Sequence, residues 1–333
     1  MDFEQVMLQK AYEKVNGLGD RLVFMKQMVD WENFRPIVKK IFRDNETYGG
    51  RPHTDEVVIV RIMALQEMYG LSDEEMEFQA NDRLSFRNFI GFSDNVPDYS
   101  TIWKIRDRLQ QEQIDKEIWN KLQEQINNKG YTIQKGVIQD ATFIDAKVGR
   151  KRYYKEKKAK KEGKIITYTP KQISHIDKDG TFAVKSGQVH YGYKDHIKID
   201  VKNQIVRNIE VTTASLHDGQ IQLVTKKDIA AYRDKGYFGT PLPENVVDKT
   251  MQRATRGNPL TKTQEKINRA ISTIRSIGER PFSVIKTIFH GGRTFVKTLA
   301  RVRIKETFKF FAYNLYQLFT IQRKELAKAL SNS

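Results

Sequence analysis

Cysteine is absent from all 333 positions, which removes disulfides, thiol catalysis and cysteine-bound zinc from consideration. No run of about eighteen apolar residues occurs, so no membrane-crossing helix is expected. The N-terminus, Met1-Asp-Phe-Glu-Gln5, lacks the basic-then-apolar order of a secretory signal. Six histidines (His53, His175, His190, His196, His217 and His290) show no zinc-ligand spacing. Acids are scarce over residues 249–309, where fifteen Lys and Arg face only Glu265, Glu279 and Glu306. A cytoplasmic protein with access to DNA is the expectation.

What is present is charge, unevenly spread. Residues 1–146 hold nineteen cations and twenty-five acids, a net of −6, within a chain of formal charge +17; residues 147–333 therefore carry +23. A basic half of that size serves a polyanion, with nucleic acid first among them. An anionic membrane surface is the rival, but no basic amphipathic helix or lipidation motif supports it.

Three acids stand out against this background. Glu279 lies in Arg275-Ser-Ile-Gly-Glu279-Arg-Pro-Phe-Ser-Val-Ile-Lys286. On a helix, Arg275, Glu279 and Lys286 share one face, and the plainest reading is an exposed Arg275–Glu279 ion pair. Asp140 lies in Gly136-Val-Ile-Gln-Asp140-Ala-Thr-Phe-Ile-Asp145, an alternating, β-branched run that reads as a partly buried strand. A carboxylate there is costly unless it is paired or bound to a cation. Asp234 ends a short apolar strand at a Gly-containing turn, the position where α/β sheets build sites. Together the three suggest a cluster holding divalent metal against phosphate oxygens.

The order Asp140, Asp234, Glu279, with separations of 94 and 45, resembles that of bacterial DDE transposases, nearest to the insertion sequence 5 family. Gly50-Arg-Pro-His-Thr-Asp55 and Pro97-Asp-Tyr-Ser-Thr-Ile102 resemble that family's helical N-terminal domain. Asp140-Ala-Thr142, Tyr193-Lys-Asp-His196, Thr213-Ala-Ser-Leu-His-Asp218, Asp234-Lys-Gly-Tyr237 and Glu279-Arg-Pro-Phe282 resemble successive blocks of its catalytic domain. The wider signature Tyr-x2-Arg-x3-Glu-x6-Lys is met at Arg275, Glu279 and Lys286, but its tyrosine position is Ser272. A contact to DNA near the cleaved end is thereby missing or supplied elsewhere.

Coarse organisation follows. Residues 1–130 are expected to form an all-α domain for DNA binding, dimerisation or both. Helices are expected around Met7–Val15, Arg21–Val29 and Ile37–Phe42, then after Thr54 and Asp55, over Asp73–Gln79 behind Ser72, and over Leu84–Phe89. A long helix over 101–127, capped by Ser100, carries Trp103, Lys104, Arg106 and Arg108 as candidate DNA readers. The acidic balance of this region favours a packing or dimerisation module instead.

Residues 131–333 are expected to form an RNase H-like α/β catalytic domain. Its strands are placed at 136–144, 188–193, 196–201, 205–212 and 229–232, with a crossover helix over 217–226. Helices follow over 263–289, interrupted at Pro281, and over 308–329. Between the first strands, 147–185 is a basic insertion with thirteen cations and four acids. Its Arg150, Lys151, Arg152, Lys157, Lys158, Lys160 and Lys161 are candidate DNA contacts, and tyrosines interleaved among them suit stacking on unpaired bases. The alternative is a flexible, solubilising excursion.

The resemblance implies binding of double-stranded DNA, both element ends and target, and two Mg²⁺ (or Mn²⁺) ions on Asp140, Asp234 and Glu279. Asp140 is the bridging ligand, and Arg275 and Lys286 hold phosphates. Acting on two ends implies a homodimer. Asp145 is expected at the surface, Asp195 and Asp200 in turns, Asp218 at a helix start, and His196 and His217 in structural hydrogen bonds. A metal nuclease of the same fold without strand transfer, and a non-catalytic DNA-binding regulator, are the alternatives.

Overall fold

The computed structural model describes residues 3–42, 53–93, 95–146, 149–185 and 187–331. Two compact units divide the chain, residues 1–132 with 307–333, and residues 133–306. The expected boundary at 130 falls beside the first division, while the segment from 307 onward joins the helical unit.

The helical unit contains α1 (Phe3–Gly17), α2 (Arg21–Gln27), α3 (Arg35–Val38), α4 (Glu56–Tyr69), α5 (Asp73–Asp82), α6 (Leu84–Ile90), α7 (Tyr99–Gln111) and α8 (Asp115–Asn128). Asp55 starts α4 by accepting from the Val57 and Val58 amides, and Ser72 caps α5. Apolar residues run around the whole circumference of α4, from Val57 to Met68, and nearly all are buried, which marks a core helix. Residues 308–318 of a later helix supply Phe308, Phe310, Phe311, Ala312, Tyr313, Leu315 and Leu318, also buried. Trp31 meets Phe89 edge-on with ring centroids 5.4 Å apart, and Phe311 packs on Trp31 and Phe34 at 5.9 and 5.5 Å.

The helix expected over 101–127 is two helices. The chain turns at Gln113, which adopts φ +52, and this ends α7 before α8 begins. Asp98, not Ser100, caps α7: its carboxylate accepts from the Thr101 amide and from the Ser100 hydroxyl. The longer carboxylate reaches the free amide from one turn earlier.

In the sheet unit, β1 (Val137–Ala146) is followed by α9 (Arg150–Lys161), α10 (Pro170–Ser174), β2 (Thr181–Lys185), β3 (Gln188–Asp200), β4 (Val206–Thr213), β5 (Ala230–Arg233) and β6 (Val247–Thr250). The strands β4, β3 and β1 are antiparallel neighbours, and β5 then β6 continue the sheet parallel to β1. β2 pairs with the first half of β3, where Gly192 (φ +143) faces the Ile144 carbonyl so closely that a Cβ would collide with it. Only glycine fits there.

Two expectations are corrected here. The strands expected at 188–193 and 196–201 are one, Gln188–Asp200, although Lys194, Asp195, His196 and Lys198 make the middle strongly polar. All four are buried, and distant partners compensate three of them: Lys194 donates to Asp218 and the Leu216 carbonyl, Lys198 to Asp228, and His196 pairs with Thr212. The helix expected over 217–226 is absent. Only Asp218–Gln220 makes a 3₁₀ turn. The buried Gln139 amide then clamps the extended chain, donating to the Ile221 carbonyl and accepting from the Leu223 amide.

The unit continues through α11 (Lys262–Arg275), α12 (Glu279–Ser283), β7 (Arg293–Thr294) and the first turns of α13 (Leu299–Ser331). The helix break falls before Pro281, in a 3₁₀ turn at Ser276–Gly278, and Pro281 sits in the first turn of α12, where its missing N–H costs nothing. A π-helical stretch, Val284–Ile288, follows.

Candidate active site

Side chains alternate along β1, so Ile138, Asp140 and Thr142 share one face and Gln139 points to the other. Asp234 reaches the first face by register. Arg233 of β5 lies opposite Gln139 in the parallel ladder, and the next residue, Asp234, comes beside Asp140. Asp234 Oδ1 accepts from the Gly236 amide at 2.8 Å, holding a short 3₁₀ turn, while its other oxygen is unbonded among the described residues. Asp140 Oδ1 accepts from the Ala141 amide at 2.9 Å, and Oδ2 accepts from Arg275 Nη2 at 3.2 Å.

Burial pushes the Asp140 carboxyl above the ordinary aspartate value; the Arg275 guanidinium and the Ala141 amide oppose this, and the Asp234 charge adds to it. The two acids are therefore incompletely neutralised by the one arginine.

The break between α11 and α12 lies over the same face. A Cβ on Gly278 would meet Ile138 Cγ2 at 2.9 Å and Ile199 Cδ1 at 3.4 Å, so the missing side chain lets the turn sit against the sheet. From this seat, Arg275 reaches back to Asp140, and Lys286 donates from the π-helical stretch to the Thr142 hydroxyl. The π-helical register is a common device for aiming side chains at sites. Arg275 pairs with Asp140 and not with Glu279, which overturns the plain i,i+4 ion pair. Glu279 begins α12 next to Gly278, with an exposed side chain that makes no hydrogen bond or ion pair among the described residues. Asp140, Asp234, Arg275 and Lys286 are thus brought to one strand face, with Glu279 at its rim. Among the described residues, no three His, Asp or Glu side chains are gathered closely enough to hold a metal ion.

Asp195 was misplaced by sequence reasoning as a turn acid. It lies inside β3 opposite Thr142, 3% exposed, and its negative charge acts on Lys286, whose ammonium is pulled below its ordinary value chiefly by burial. The available signal was parity: two residues before Ile197, the partner of Asp140, Asp195 shares that face. Asp200 does sit at a turn, accepting from the Lys202 amide. Asp145 pairs with His190 at 3.1 Å, and Asp218 begins the 3₁₀ turn that His217 caps and accepts from Lys194 at 2.7 Å. Buried Tyr237 stands behind the site; burial and the charges of Asp218, Asp140 and Asp234 raise its hydroxyl well above the tyrosine range. Burial lowers the His196 imidazole to about 4, which keeps it neutral near pH 7. His217 accepts from the Gly219 amide.

The expected DNA contacts divide into several groups. Residues 147–148 and the Arg150 side chain lie outside the described residues. Part of the basic insertion is helical as α9, unlike the flexible excursion held as the alternative, with Lys157, Lys158, Lys160 and Lys161 exposed along it. Lys151 and Arg152 line a cleft of about 510 Å³ with Lys155, Tyr168, Lys171 and His175. Tyr153 packs on Phe182 at 4.1 Å, so it is partly committed to the fold. Lys104 is exposed on α7. Arg106 is the correction: it is 8% exposed, bonded to Asp73 and to Gln66 Oε1, and cannot reach a phosphate without breaking that network.

Comparison with known families agrees with this geometry. Residues 9–108 match the Transposase domain (DUF772), and residues 131–315 match the Transposase DDE domain. No solved structure matches the chain significantly. No helix among the described residues is long and apolar enough to cross a membrane. Because the second match covers more than half of the sequence and contains Asp140, Asp234, Arg275, Glu279 and Lys286, the chain belongs to the DDE transposase domain family.

Proposed function

We propose that this protein is a DNA transposase of the insertion sequence 5 type. It binds the terminal inverted repeats of its element, cleaves phosphodiester bonds at the ends, and joins the freed 3′ ends to target DNA. The observation that carries the reading is the convergence of Asp140, Asp234 and Arg275 on one strand face, to which the π-helical stretch also brings Lys286. The strand order β4-β3-β1-β5-β6, antiparallel and then parallel, supports an RNase H-like catalytic domain.

The donor set fits a hard divalent cation. Asp140 and Asp234 lie side by side, Arg275 reaches only Asp140, and Asp234 keeps an oxygen without a hydrogen bond among the described residues. Asp140 and Asp234 would hold the ions, and Glu279 would complete the set by moving inward from its exposed place at the rim. When bound, two Mg²⁺ or Mn²⁺ ions activate the attacking oxygen and stabilise the leaving one. Arg275 and Lys286 hold the phosphates next to the scissile bond, Arg275 as a planar fork and Lys286 as a point charge. Neutral, hydrogen-bonded His196 takes no part in proton transfer. The exposed lysines of α9 hold flanking duplex. A homodimer working in the cytoplasm follows from the need to bring two ends together.

Ser272, exposed on α11, stands where related signatures have tyrosine, and it keeps open the reading of a nuclease without strand transfer. Incubating the purified protein with its own element ends and Mg²⁺ separates the readings. Cleaved and joined products are expected. Cleavage alone identifies a nuclease, and bound but uncut DNA identifies a regulator.

A further inference from the structure

We infer that Arg275 is an exchangeable cation: it holds Asp140 until a nucleic-acid phosphate draws it off, so that DNA binding and divalent-ion binding strengthen each other. The inference rests on the metal-site reading above and adds a coupling that reading does not require.

The guanidinium of Arg275 is poorly satisfied where it sits. Nη2 makes one contact to Asp140, at 3.2 Å. Nη1 faces the Met251 sulfur at 3.7 Å, a weak acceptor, and Nε is buried without a hydrogen-bond partner. Arg106 has a comparably low exposure but is bonded to two oxygens of Asp73 and one of Gln66. Arg275 is held by one oxygen and a weak sulfur acceptor, Arg106 by three oxygens.

The carboxylate side is equally incomplete. Asp140 Oδ1 takes the Ala141 amide and Oδ2 a single Arg275 donor at 3.2 Å, while Asp234 beside it uses only one of its oxygens among the described residues. A divalent ion at Oδ2 would have a second carboxylate within reach, where Arg275 meets only one. A phosphate offers Arg275 two oxygens in the fork geometry that a guanidinium matches, against one oxygen at Asp140. The side chain is 17% exposed, at the C-terminal end of α11, with exposed Lys286 nearby on the same face, so a phosphate reaches it from solvent. Movement of Arg275 from Asp140 to phosphate then frees Oδ2 for the ion. Linkage makes the effect reciprocal: DNA raises the ion's affinity by the factor by which the ion raises that of DNA.

The test is Mn²⁺ binding to the full chain by calorimetry, with and without saturating duplex of the element end. In the wild type, DNA should tighten Mn²⁺ binding by on the order of tenfold. Arg275→Gln should bind Mn²⁺ without DNA more tightly than the wild type does, and DNA should then add almost nothing. Arg275→Lys, which keeps the charge but loses the fork, should fall between and guards against a folding defect in the Gln variant. Unchanged DNA-free Mn²⁺ affinity in Arg275→Gln, with the DNA effect intact, overturns the exchange while leaving the metal site standing. Normal Mn²⁺ binding by Asp140→Asn, or none by the wild type even with DNA, overturns the metal-site reading and the exchange with it.

Discussion

The two units each bury an arginine against an aspartate, and the pairs differ in completeness. In the helical unit, Arg106 spreads its donors over Asp73 and Gln66, and the cluster leaves little unsatisfied. In the sheet unit, Arg275 makes one bond to Asp140, keeps a buried Nε without a partner, and leaves Asp234 beside it. A saturated pair belongs to the scaffold, because anything added to it must first break a hydrogen bond. An unsaturated pair has capacity left for substrate or cofactor, and its residual charge is part of its use.

The comparison breaks most visibly at the acids. Asp140→Ala, Asp234→Ala and Glu279→Ala are each expected to abolish end cleavage while retaining DNA binding. Gel-resolved cleavage beside a binding isotherm checks this, and a variant that still cuts removes its residue from the site. Arg106→Ala should act in the opposite sense. Leaving Asp73 and Gln66 without their partner should cost about 3 kcal/mol of unfolding free energy, read by urea melts, with cleavage per folded molecule unchanged. Loss of sequence-specific binding at full stability would make Arg106 a DNA reader after all.

Smaller effects are expected at the surface. Neutralising Lys157, Lys158, Lys160 and Lys161 together should flatten the log–log salt dependence of DNA binding by about 0.9 for each phosphate no longer neutralised. Affinity should fall equally on end DNA and unrelated DNA, since phosphates carry no sequence information. An unchanged slope would leave α9 as a solubilising helix.

The smallest expected effect sharpens the contrast through pH. Asp140 has a raised folded-state pKa, so its ionised form opposes folding above that pKa and ceases to do so as pH falls below the unfolded value. Asp140→Asn should therefore raise Tm slightly near pH 7, an advantage that vanishes in acid. Cleavage by the wild type should decline on acidification at a pH above the ordinary aspartate range, as a proton competes for the carboxylate. Thermal melts and cleavage rates across pH 4–8 test both signs.

Much of this was legible in the sequence because it is local. Alternation around Asp140 marked β1, and Asp55 and Ser72 marked helix starts. The misses share a cause. Lys194, His196 and Lys198 look like an exposed interruption, yet they are buried because Asp218, Thr212 and Asp228 meet them from elsewhere in the chain. Arg106 follows helical spacing like its exposed neighbours, and nothing nearby announces Asp73 and Gln66. Charge compensated at long range leaves no periodic trace.

Phe311 rests on Phe34 across 277 positions of chain, with the whole sheet unit made in between. A growing polypeptide therefore cannot close its first core until translation has passed residues 308–318, and the N-terminal helices must wait with Trp31 and Phe34 uncovered. The sheet unit, which is complete by residue 306, has no such delay and is free to fold first despite emerging second. A fragment ending near residue 130, the natural choice for isolating the N-terminal region, would be an unfinished core exposing aromatic surface, prone to aggregate rather than to bind.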